Sequence, residues 1–486
     1  MSAAGAGEAG LPARSLPRLL TTTGALAVMG LVAVDIAAVP AVLPSVRVEL
    51  GSSSSGLVWV QDAYLLALAV TLLLVLRAGA DRRLLAAVGV AAFAGGALLA
   101  STADETATLV TGRAIQGVGM GALLVPALEV LRQARGETRW TAGVAAAGAL
   151  MALAVAPLAG GAVAEAASWP WLFRIELVAA VPALVVVAAG SGRAENGGAP
   201  ASGAGAERES GPHAEHGSGS HAERGSGRPP HGRPVHADRS AAFAAGLILA
   251  VTGLVQSGPW GWASADTLLL LAGGAALILV SRGELPAGAD AVVLVLAGCL
   301  AVGLLLAPQY LELVRGLSPL RSGVLTAVLT ASAATLAAAT RLLAGRIPPR
   351  LPLIGGLACA TLGALGMTRI DPGSSYALVV ISLGLLGSGL GAAAGSVGPL
   401  RHAYGAFEGP HSPVEGPRVA AAAAGAALVL AAAGALLQRA QLEEREGGGS
   451  FEDALASGLA ASGWLMAALL VAATVLAWRR ASNSSP

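Results

Sequence analysis

Lysine is absent from the 486 residues; all 30 basic residues are arginine. That bias belongs to coding composition and says nothing of function. Charged residues make up only 12% of the chain, about half the share found in soluble domains. With 55% hydrophobic residues beside it, this excludes an ordinary soluble domain. Cysteine occurs twice, at Cys299 and Cys359, each inside an apolar run. Two such residues supply neither a disulfide framework nor a metal-ligand spacing, so plain buried packing is expected of both. Aromatic residues are only 3%, which leaves little for an aromatic cage around a cation. No phosphate-binding P-loop, zinc-protease helix or nucleophile elbow is present. An ATP-driven pump or a membrane enzyme is therefore disfavoured, and neither cofactor nor metal is expected.

What is abundant is apolar sequence in long unbroken runs. A run of about 20 residues crosses a bilayer as a helix, and a helix satisfies its own backbone there. Alternating apolar and polar residues, the mark of a membrane β-strand, are lacking. Fourteen spans are expected, at 19–44, 57–76, 84–102, 107–131, 140–165, 169–190, 240–257, 263–281, 291–311, 322–344, 351–369, 375–399, 417–438 and 455–478. The first run, preceded by Arg14 and Arg18, is too long for a signal-peptide core and reads as an uncleaved membrane helix. With the amino terminus inside, inner segments hold 22 arginines and outer loops 6. This asymmetry predicts that both termini are cytoplasmic. It also favours an even number of spans.

The segment 191–239 breaks the pattern. It repeats itself as HAEHGSG, HAERGSG and HADR, and holds five of the seven histidines. Such a composition buries too little apolar surface to fold, so a disordered cytoplasmic linker is expected, with weak metal binding as the other reading. The resulting organisation is a cytoplasmic 1–18, a six-helix bundle 19–190, the linker 191–239, two additional helices 240–281, a second six-helix bundle 289–479 and a tail 480–486.

Ionisable residues inside apolar spans are costly and mark function by default. Asp35 stands in the middle of LVAVDIAAVPAVLPSV, Asp62 near the start of span 2 in WVQDAYLLALAV, and Arg113 in span 4 in LVTGRAIQGVGMGALLVP. Burial favours the neutral form of a carboxyl and a neighbouring guanidinium favours the charged one. Together they can make a proton site; a purely structural ion pair is the plainer reading. GVGMG at 117–121 lacks the third glycine of a dinucleotide loop, because Ala122 stands there. Close helix packing in lipid explains it better, as it does GLLGSGLGAAAGSVG at 384–398.

At these residues the sequence resembles the major facilitator superfamily, in its fourteen-helix drug:proton antiporter branch. VDIAAVPAVLPSV is similar to the family's first helix and WVQDAYLL to the opening of its second. RAIQGVGMGALLVP carries the fourth-helix motif at Arg113, Gln116, Gly117, Gly119 and Pro126. APLAGG resembles the antiporter motif through Pro157, Gly160 and Gly161, and WPWLFRIELV the start of the sixth helix. QSGPWGWAS and YLELVRGLSPLRSGVL resemble two later connections. The resemblance implies an all-α integral membrane protein of 14 transmembrane helices, two six-helix bundles plus two peripheral ones, around a midplane site. It implies proton-coupled efflux of a lipophilic drug, antibiotic or secondary metabolite across the bacterial cytoplasmic membrane. The partners implied are lipid, protons and a small molecule, not nucleic acid, and a monomer is expected. Asp35, Asp62, Arg113 and Glu176 become the candidate proton and substrate residues.

Four departures stand out. The second loop reads RAGADRRLLAAVG, with Arg77 in a glycine's place and a shortened stretch after Arg82. Asp81, Arg82 and Arg83 survive of what the family implies to be an inner gate. Ala156 replaces the glycine before Pro157. Glu176 replaces the usual asparagine and is either a new proton or cation site or a surface residue near the outer interface. The loop 400–418 matches nothing in the family. Uptake on the same scaffold, or a membrane sensor that does not transport, stay open as other readings.

Overall fold

A computed structural model describes residues 15–78, 80–135, 139–178, 235–281, 289–403 and 415–483. Most of the expected linker and the 404–414 part of the unmatched loop lie outside the described residues. The described chain is helical, with one isolated bridge between Ala344 and Ile347. The first bundle holds α1 (Ser15–Leu50), α2 (Ser54–Ala78), α3 (Arg82–Ser101), α4 (Thr106–Arg135), α5 (Arg139–Ala166) and α6, described over 170–178. The additional pair is α7 (Val235–Trp260) and α8 (Ala265–Val280). The second bundle holds α9 (Ala289–Gln309), α10 (Pro319–Leu342), α11 (Arg350–Met367), α12 (Tyr376–Ala403), α13 (Glu415–Gly447) and α14 (Phe451–Asn483). A π-helical turn, Tyr310–Val314, ends α9. Thirteen of the fourteen expected spans thus fall on described helices, and the sixth does so over 170–178, its remainder lying outside the described residues. Among the described residues, twelve are long and apolar enough to cross a membrane; α8 is shorter.

Tight turns join neighbours where glycine permits a left-handed backbone. Gly51 (φ 61°) turns α1 into α2, and Gly316 (φ 62°) turns the π-helical end of α9 toward α10. α7 begins at Val235 and so takes in HADR, the last repeat of the expected linker. The pattern of α8 is that of a protein in lipid. It buries Gly274 against the α7 backbone at Gly246 and Ala250 and leaves Leu268, Leu269, Leu279 and Val280 exposed.

Inside the first bundle α4 packs on α2 and α3, and α1 on α5. Inside the second, α12 packs on α10 and α11, and α13 on α9 and α14. Two seams join the bundles, α5 to α10 and α2 to α13. Several contacts there lie toward the end carrying Gly51 and Gly316, and midway along α10 Thr330 Oγ1 donates to Ala154 O of α5 at 3.2 Å. A side chain at Gly161 would strike Pro319 O, and one at Gly323 would come 2.5 Å from Pro157 O. Glu165 Oε2 of α5 accepts from Leu320 N at 2.9 Å, so the first bundle caps a helix of the second. Along the other seam, Ser54 Oγ donates to Gln441 Oε1 at 2.8 Å, and Gly434 faces Val58. The additional pair is not merely peripheral. Helix α7 lies across the α2–α13 seam: Trp59 Nε1 donates to Gln256 Oε1 at 3.3 Å and Gln438 Nε2 to Val255 O at 3.4 Å.

Candidate functional site

Asp35 lies midway along α1, Arg113 and Gln116 one turn apart on α4, and Glu176 on α6. The fold brings all four together. Arg113 Nη1 donates to Asp35 Oδ1 at 2.7 Å and to Gln116 Oε1 at 3.0 Å. Gln116 Nε2 donates to Glu176 Oε2 at 3.2 Å. Arg113 Nε reaches Val60 O of α2 at 3.3 Å. Asp35, Arg113 and Gln116 are 0% exposed and Glu176 is 3%. Glu176 is therefore part of the buried cluster, and the surface alternative for it does not hold.

Two residues that stand out less in the sequence complete the cluster. The Tyr64 ring lies 4.3 Å and the Phe173 ring 5.9 Å from the Arg113 guanidinium. Ring faces attract a cation, the more so when it is desolvated. In the sequence Tyr64 and Phe173 stand within the family-like stretches WVQDAYLL and WPWLFRIELV, but as aromatic residues in apolar helices they look like core and were not among the candidate site residues. The cluster holds two carboxyls and one guanidinium. Net charge in an apolar interior is costly. Asp35 Oδ2, Tyr64 OH, Arg113 Nη2 and Glu176 Oε1 have no hydrogen-bond partner. The site thus keeps polar atoms in reserve.

Asp62 does not join this cluster. It is fully buried on α2, and neither carboxyl oxygen has a hydrogen-bond partner. One turn earlier, Val58 faces α13 and Trp59 reaches α7. Helical spacing therefore turns Asp62 toward the seam of those two helices. The motif glycines are points of helix contact. Side chains at Gly117 and Gly119 would strike backbone at Tyr64 of α2 and at Phe93 and Gly89 of α3. Gly160 faces Ala38 O, one turn beyond Asp35, and Gly161 faces α10. Pro157 and its glycines thus sit between the cluster and the second bundle. In the short loop, Asp81 caps α3 by accepting from Arg83 N at 2.8 Å. Arg82 reaches Glu129 of α4 at 3.8 Å. Cys299 and Cys359 are free thiols, the first fully buried.

Two bundles joined at α5–α10 and α2–α13, with a charged cluster inside one, define a facilitator-type membrane transporter. The profile of the Major Facilitator Superfamily matches residues 25–438, and the chain belongs to that family. It is 27% identical over 409 residues to the tetracenomycin C resistance and export protein of Streptomyces glaucescens, covering 78% of this chain and 68% of that one. It is 26% identical over 370 residues to the multidrug resistance protein Stp of Mycobacterium tuberculosis, covering 72% and 63%. Over 161 residues it is 37% identical to the efflux pump FUS6 of Gibberella fujikuroi, covering 32% of this chain and 29% of the pump. The chain thus spans less than a third of the length of that pump. The fold is similar to a bacterial homolog of the human lysosomal transporter Spinster, inward-facing and unoccupied (TM-score 0.58, 16% identity, 98% of each chain). It is also similar to the xylose transporter XylE of E. coli (TM-score 0.55, 12% identity, 95% and 97%).

Proposed function

We propose that this protein exports a lipophilic drug, antibiotic or secondary metabolite across the bacterial cytoplasmic membrane in exchange for protons. The observation that carries this reading is the buried Arg113–Asp35 pair at 2.7 Å with Glu176 joined to it through Gln116. Two carboxyls sharing one guanidinium change net charge when a proton arrives or leaves, and that change is felt fully in a low-dielectric interior. With both termini cytoplasmic, the seams closed near Gly51 and Gly316 are on the outer side. The described arrangement is then inward-facing.

Coupling requires only that proton and cargo bind the two states with different affinity. Asp35 takes the proton from outside, and the Arg113 guanidinium shifts between Asp35 and Glu176. Gly160 rests on Ala38, one turn from Asp35, and Gly161 rests on α10. A change at Asp35 therefore has a packed route to the α5–α10 seam. Cargo entering from the inner side competes with the protonated state, and the return step releases it outside. The names of the relatives, an export protein and efflux pumps, support this direction of flux.

The test uses inverted membrane vesicles carrying a pH-sensitive dye. In energised wild-type vesicles, addition of a cargo compound is expected to release protons and restore the dye signal. Asp35→Asn is expected to insert normally and to abolish that response. A wild-type response in Asp35→Asn removes Asp35 from the coupling mechanism.

A further inference from the structure

A second group of unpartnered polar atoms lies in the other bundle, away from the Asp35 cluster. It consists of Glu312 in the π-helical turn and Ser322 and Thr326 on α10. Ser322 and Thr326 are 0% exposed, and neither hydroxyl has a hydrogen-bond partner. Glu312 Oε1 is likewise buried and without a partner. Several other hydroxyls in these helices bond a carbonyl of their own helix, although that of Ser382 on α12 also has no partner. Ser332 bonds Leu329 O, Ser462 Gly458 O and Thr474 Leu470 O. Ser322 and Thr326 do not take that ordinary route.

Their placement is defined by their neighbours. The Glu312 carboxyl and the Ser322 hydroxyl lie near each other across the α9–α10 turn without hydrogen-bond geometry between them. Thr326 is one helical turn below Ser322 on the same face. That face lies between Gly323, which meets Pro157 of α5, and Leu329, which meets Gly303 of α9. The group therefore sits at the junction of the two bundles, roofed by α5 and by the Glu165–Leu320 cap. The π turn that displays Glu312 is a backbone irregularity of the kind that gathers at functional sites.

We propose that Glu312, Ser322 and Thr326 form a cargo-binding site for a primary ammonium group carried on a lipophilic body. One carboxylate oxygen and two hydroxyl oxygens supply three acceptors, and a primary ammonium brings three donors and the balancing charge. A hard metal cation seeks about six oxygens or more, and three fall short. Leu311 and Leu329 are buried on the same pair of elements and provide apolar surroundings. Rocking of α5 away from α10 uncovers the site on the side opposite to the one from which it fills. That the ligand is cargo rests on the export reading; that the site binds it does not.

The test is equilibrium binding to the purified full-length protein in detergent, with no proton gradient, so failure of antiport cannot masquerade as failure of the site. The probes are amantadine, a lipophilic primary ammonium at neutral pH, and its N,N,N-trimethyl derivative, with the same cage and charge but no N–H. Amantadine is expected to bind about tenfold more tightly than the trimethyl probe, the factor set by about one lost charge-assisted hydrogen bond. The near-isosteric Thr326→Val and the small change Ser322→Ala are each expected to weaken amantadine about fivefold and to narrow the gap between the probes. Glu312→Gln is expected to abolish binding of both. No amantadine binding by the wild type, equal affinity for the two probes, or unchanged affinity in folded Glu312→Gln and Thr326→Val protein overturns the proposal.

Discussion

The first bundle gathers Asp35, Arg113, Gln116 and Glu176 where α1, α4 and α6 meet, whereas the second presses bare backbone together where α10, α11 and α12 meet. On α12, Gly387, Gly391 and Gly395 recur every fourth residue and face Leu329, Ala333 and Ala337 of α10, which recur in step. Gly389, on another face, meets Gly356 and Ala360 of α11. Apolar side chains gain nothing by leaving lipid for another apolar surface, so close approach through small residues holds such helices together. The first bundle uses the same device at Gly117 and Gly119 but adds a cluster whose charge can change. The contrast is one of what holds each half together: the first bundle encloses a buried charged cluster, and the second is joined through close backbone contact at small residues.

Breaking the charged half should have the largest effect. Arg113→Ala leaves two carboxyls buried without their cation, and losing one partner of a buried pair costs about 3–5 kcal/mol. Its thermal unfolding in detergent is expected to drop well below the wild type. Adding Asp35→Asn in the same chain is expected to recover part of the loss, because the orphaned charge is gone. An Arg113→Ala protein as stable as wild type would mean the cluster is not held by its charges. Breaking the packed half comes next. A side chain at Gly391 would strike Ala333 O, so Gly391→Leu must push α10 from α12, at about 1–3 kcal/mol or more for overpacking. The same melting measurement reads it, and no added carboxyl substitution is expected to rescue it. Rescue by Asp35→Asn would undo the division between the halves.

Much of the charged half was legible in the sequence, because an Asp or Arg inside an apolar run has few reasons to be there. Asp35 and Arg113 could be paired in expectation for that reason. Glu176 could not be placed, since its depth depends on how α6 packs beside α4. Asp62 was conspicuous too, yet its place apart from the cluster depends on the rotation of α2, which two aromatic neighbours and Gly434 settle. The Ser322 and Thr326 hydroxyls gave no warning. Such residues are common in membrane helices, and a missing bond to their own helix shows only in the structure. Span positions were readable, but helix ends were not. α13 continues nine residues beyond the expected 438, through Arg439 and Glu443, which bond each other at 2.7 Å. Hydropathy ends where polar residues begin, while the helix ends where its hydrogen bonding does.

The smallest expected effect separates packing from gating in the short loop between α2 and α3. Asp81 accepts from Arg83 N at the start of α3, the bond of an N-cap, and losing a cap costs about 1 kcal/mol. Arg82 is 42% exposed, and its 3.8 Å contact with Glu129 is worth about 1 kcal/mol at most. Serine caps a helix about as well as aspartate but carries no charge. Asp81→Ala is therefore expected to lower stability by about 1 kcal/mol, and Asp81→Ser to leave it near the wild type. Flux in vesicles then decides what the carboxylate does besides. If Asp81→Ser transports like the wild type, the loop serves this protein through its cap alone, and the charged half of the molecule ends at the Asp35 cluster. If Asp81→Ser is stable yet inactive, the charge at Asp81 acts in gating, and the first bundle has two charged stations rather than one.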